Sequence, residues 1–143
     1  KQQLDSPRDR LMYRLAYRHF ADGHEALVAN HSVNSGNGIV GPRWHEHLNP
    51  TGQTMADGIP VLAQQGTYAP DSTDRWLGSI AMDKVGNIAL GSSVSSGSLH
   101  PGIRYIGRAS GDPSYLLGIE TTLVEGTGSQ TRTLNRWGGT TVG

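Results

Sequence analysis

The feature that most constrains this chain is that it repeats itself. Asp9-Arg10 opens one unit and Asp74-Arg75 a second, and an apolar strand and a glycine turn follow each, at Gly23 and Gly86. Next come Ala26-Leu27-Val28 and Ile88-Ala89-Leu90, in strands that end in Ser32-Val33 and Ser93-Val94. A Ser/Gly-rich connection leads in both to a third strand carrying an Arg and a large aromatic, Arg43-Trp44 and Arg104-Tyr105. Asn135-Arg136-Trp137 echoes Arg75-Trp76 and starts a third unit. The spacing is 65 residues from Arg10 to Arg75 and 61 from Arg75 to Arg136. A period of roughly 60 residues holding four strands is the length of one long propeller blade.

The expected fold is therefore all-β: antiparallel four-stranded blades of an incomplete β-propeller. Residues 1–73 make the first repeat, 74–134 the second, and 135–143 the start of a truncated third. A single blade cannot bury both of its faces, and rings close with roughly four to eight blades. The chain is accordingly expected to be a homo-oligomer or part of a longer chain.

Local patterning agrees. In Arg10–Arg18, Leu11, Tyr13, Leu15 and Tyr17 alternate with Met12, Arg14, Ala16 and Arg18, a period of two that favours a strand over the alternative of a helix. Further strand-length runs are 25–33, 39–47, 61–68, 76–83, 87–94, 102–108 and 118–125, separated by turn clusters such as Asp22-Gly23 and Ser110 to Pro113. Hydrophobic residues make up 35% and charged residues 17% of the chain, with 20 glycines, which suits many short strands and turns better than long helices.

Charge and composition exclude several functions. Twelve basic residues balance twelve acidic ones, and lysine occurs only at Lys1 and Lys84, so the basic stripe of a nucleic-acid binder is missing. No run of about 18 apolar residues provides a membrane span. The absence of cysteine removes disulfides and thiolate metal sites, and no cofactor motif is present.

Several longer motifs carry a family resemblance. These are Gln65 to Asp71, Arg75-Trp76, Gly78 to Asp83, Gly86 to Gly91 and Ile103-Arg104-Tyr105, with Asp9 to Phe20, Gly126 to Gln130 and Arg136-Trp137-Gly138. The chain resembles a β-rich segment of large, mostly uncharacterised bacterial secreted proteins, broadly similar to sialidase-like propellers. That resemblance implies an extracellular or cell-surface location and a glycan or protein ligand. In the family Arg-Trp-Gly continues into an Asp-Tyr-Ser strand, where this chain has Gly139 to Gly143.

Three functional readings follow. In the first, the segment is a non-enzymatic binding or scaffold module, with the recurring Arg10, Arg75 and Arg136 gripping oxyanions bidentately and Trp76 and Trp137 offering stacking surfaces. Local pairing of each Arg with its own acid is the competing explanation, as is packing of the Trp residues between blades. In the second, a glycoside hydrolase draws its two carboxylates from Asp71 and Asp74. In the third, His45 and His47, on one face of a strand, begin a metal site, although no third ligand is identifiable by spacing.

Overall fold

In a computed structural model, which describes residues 10–13, 15–51 and 60–129, the described residues are all-β, with no helix among them. The strands are β1 (Ala16–His19), β2 (Glu25–Asn34), β3 (Val40–Leu48), β4 (Val61–Thr67), β5 (Asp74–Met82), β6 (Ile88–Ser95), β7 (Gly102–Arg108) and β8 (Thr121–Val124). They form two antiparallel meanders, β1-β2-β3-β4 and β5-β6-β7-β8. Each expected run contains a strand. The first is shorter than the alternation suggested, with Leu11 meeting His31 only through an isolated bridge. Arg14 lies outside the described residues.

Turn chemistry sets the hairpins. Asp83 accepts the backbone N–H groups of Val85 and Asn87, both at 2.9 Å, while Gly86 takes φ 87°, a conformation that costs glycine little. The β1–β2 hairpin turns in the same manner, with Gly23 at φ 91°.

The two sheets meet through β5, which packs on β2, β3 and β1. Ala26, Val28 and Trp44 from the first sheet bury themselves against Ile80, Met82, Ile88, Leu90 and Ile106 from the second. Side chains in a strand alternate between faces. The opposite face of the first sheet therefore carries Leu27, Ala29, His31, His45 and His47. In the second sheet β6 alternates buried and less buried residues, and Ala81, Ala89, Ile103 and Tyr105 lie on the exposed face.

The repeat can now be registered by strand pairing. Val33 pairs with Gly41, and 61 residues further on Val94 pairs with Gly102; likewise Asn30 pairs with Trp44 and Gly91 with Tyr105. The first hairpins, matched on their turns at Gly23 and Gly86, are offset by 63: His19 pairs with Glu25 and Met82 with Ile88. Both offsets are odd. With a side-chain period of two, a residue on the covered face of the first sheet corresponds to one on the exposed face of the second. Trp44, 1% exposed, corresponds to Tyr105, 40% exposed. The sheets thus stack front to back, with unlike faces in contact, rather than as two like faces around a two-fold axis.

A bulge in β5 adjusts the seam. Trp76 pairs with Ser93 and Ser79 with Gly91, so Leu77 and Gly78 together oppose the single residue Ser92, one extra residue in β5, and Leu77 takes φ 51°. Gly78 lies against Asn30, and a Cβ there would collide with the Asn30 Oδ1 and come within 3.4 Å of Leu90. Gly78→Val should destabilise the chain by about 1–3 kcal/mol through overpacking of the seam, measured by chemical denaturation. Unchanged stability would mean that the sheets do not approach each other at Gly78.

Candidate functional site

The densest polar arrangement surrounds Arg75. Its side chain is fully buried at the start of β5 and is held by two carboxylates and a backbone carbonyl. Nε donates to Glu120 Oε1 at 2.7 Å and Nη2 to Glu120 Oε2 at 2.9 Å. Nη1 donates to Asp71 Oδ1 at 2.8 Å and to the Thr73 carbonyl at 2.9 Å, and Nη2 also reaches Asp71 Oδ2 at 3.1 Å. A guanidinium has five N–H donors, and these five bonds use them all. The Tyr68 ring lies 5.4 Å from the guanidinium carbon and supplies a cation–π contact.

Glu120 extends the network to Arg104 at 3.2 Å, and Arg104 reaches Glu125 at 3.1 Å. The shifts of the carboxylates and guanidiniums all favour charged forms. Hydrogen bonding to Arg75 holds the Asp71 carboxyl far below the usual carboxylate range, and hydrogen bonding to Glu120 raises the Arg75 guanidinium. Burial opposes ionisation of Glu120, but Arg75 and Arg104 together outweigh it and lower its pKa. A general acid needs the reverse, a carboxyl kept protonated near neutral pH. Chemically this cluster is an ion-pair clamp. It ties the 109–120 connection to β5 and β7.

The other sequence-derived candidates are dispersed. Asp74 accepts the Val40 backbone N–H at 2.9 Å, a link between the two sheets, while the neighbouring Asp71 serves Arg75. Trp76 is 8% exposed and shares the face of Ser93. Arg10 is exposed, unlike Arg75. Arg136 and Trp137 lie outside the described residues.

His45 and His47 share a face, as the strand period requires, and His31 from β2 joins them. The rings of His31 and His45 stack at 5.2 Å and those of His45 and His47 at 6.2 Å. Roughly parallel rings in a row do not aim their nitrogens at one point. Among the described residues no group of three His, Asp or Glu side chains could hold a metal ion. Burial lowers the His45 pKa, and His31, Arg43 and His47 lower it further.

Sequence reasoning missed Glu120 and His31. Glu120 is 45 residues from Arg75 and sits in an irregular segment, so no spacing rule connects them. His31 could have been placed beside His45 once β2 and β3 were paired. Comparison with protein-family models gives no match, and searches of curated proteins and of solved structures give none either.

Two outcomes are expected. Arg75→Ala should destabilise the chain by about 3–5 kcal/mol, because Glu120 is left buried without its principal partner; Arg75→Lys should recover only part of this loss, lacking the planar fork. Denaturant midpoints of the three proteins check it. For His45, the depressed folded-state pKa means that the unfolded chain takes up the proton first as pH falls below the ordinary value of 6.5. Stability is then fully present above that value and declines below it until the folded-state pKa is reached. His45→Gln should therefore lose less melting temperature than the wild type between about pH 7 and about pH 5.

Proposed function

We propose that the chain is a β-propeller-like repeat segment that acts extracellularly as a scaffold or binding module for a glycan or protein partner. The observation that carries this reading is the front-to-back stacking of the two four-stranded sheets. Like faces in contact would satisfy each other and end the structure. Unlike faces in contact leave one face of each kind open, and the same operation can be applied again until a ring closes or a solenoid ends. The resemblance to propeller segments of secreted bacterial proteins supports the ring and the extracellular location.

The state of the charged groups favours a module over an enzyme. Arg75 has no donor left for a ligand oxyanion, and Asp71 is committed to Arg75 as a stable carboxylate. Ligand recognition in this reading falls to exposed side chains of the open faces. Tyr105 and Ile103, 40% and 46% exposed, are the large apolar residues available on β7.

A screen against chromogenic glycosides, run with Asp71→Asn and Asp74→Asn in parallel, tests the alternative of a sialidase-like glycoside hydrolase. No turnover is expected from any of the three proteins. Turnover by the wild type that both substitutions abolish would overturn the non-enzymatic reading.

A further inference from the structure

The odd repeat offset makes the two open faces specific to each other, an inference that rests on the repeat-stack reading above. The covered seam is made by a first-sheet face with Val28 and Trp44 and a second-sheet face with Leu90 and Ile106. Advancing Val28 and Trp44 by one repeat gives Ala89 and Tyr105, on the open face of the second sheet. Moving Leu90 and Ile106 back by one repeat gives Ala29 and His45, on the open face of the first. Each open face is thus the counterpart of one half of a seam that the chain already forms.

Their relief is also suited to contact. The second sheet presents a low centre of Ala81, Ala89 and Gly91, with Ile103 and Tyr105 beside it at 46% and 40% exposure and the less exposed Trp76 on the same face beside Ser93. The first sheet presents the row of stacked His31, His45 and His47 rings, which stands above Ala29. A raised row on one face and small residues on the other allow two sheets to approach at the usual ~10 Å of stacked sheets.

We propose that a second copy of this chain seats its His31/His45/His47 face on the Ala81/Ala89/Tyr105 face of the first, in a head-to-tail contact that repeats the internal seam. Such a contact is heterologous, so every copy retains one donor face and one acceptor face. Assembly continues with concentration unless rotation closes it into a ring.

Sedimentation equilibrium of the wild type, Ala89→Glu and His45→Glu tests this by complementation. The wild type is expected to associate, and each single variant to be at least tenfold weaker in self-association. Mixed, the two variants should form a 1:1 dimer that grows no further, because one keeps the donor face and the other the acceptor face. Glu in both variants prevents a new ion pair between the blocked faces. Ala81→Glu and His47→Glu repeat the test on neighbouring positions, with thermal unfolding as the check that each variant folds. A single variant that still dimerises alone would overturn the proposal in favour of a two-fold contact. A wild type that stays monomeric while the Trp44–Ile80 seam remains formed by side-chain NMR would overturn the contact alone. Loss of that seam would instead count against the repeat-stack reading.

Discussion

A four-stranded sheet has two faces, and in this chain only one face of each sheet is covered by the other. Everything else in the structure is arranged around that single seam. The covered faces supply the apolar core, from Ala26, Val28 and Trp44 to Ile80, Leu90 and Ile106. Polar ties then fix the seam: Arg18 donates to the Met82 carbonyl at 3.1 and 2.9 Å, and Asp74 accepts from Val40. Apolar burial brings the sheets together without direction, whereas these hydrogen bonds specify the position of β5 on the first sheet.

The Arg75 cluster shows how a conspicuous repeated charge can serve the fold. Removing a guanidinium from water is costly unless its donors are met, and here two carboxylates and a carbonyl meet them. Oxyanion binding and structural clamping make the same demand on arginine, namely bidentate partners. What separates the two is whether the chain itself provides those partners. At Arg75 it does, through Asp71 four residues away and Glu120 far along the sequence.

Much of the secondary structure was legible in the sequence. Apart from the first, whose alternating run begins six residues before β1, each strand was located to within a few residues by its apolar run and flanking turns. β5 and β6 alternate in burial because one face of each is covered. The β5 bulge was not legible, since Leu77 and Gly78 continue the apolar pattern and only cross-strand pairing reveals that the two face one residue, Ser92. Nor was the burial of Arg75, which depends on a glutamate that no local rule connects to it. Sequence repetition did expose the spacing of 61 and 65. The meaning of their being odd required knowledge of which side chains face the seam.

The central claim is that unlike faces of the two repeats meet. The most direct measurement is a set of nuclear Overhauser contacts from the Trp44 indole ring to assigned isoleucine methyl groups in the wild-type chain. Front-to-back stacking predicts contacts to the second sheet's covered face, which carries Ile80, Ile88 and Ile106, and none to Ile103. Contacts from Trp44 to Ile103, or from the His45 ring to Ile106, would show that the opposite faces are joined and would contradict the account.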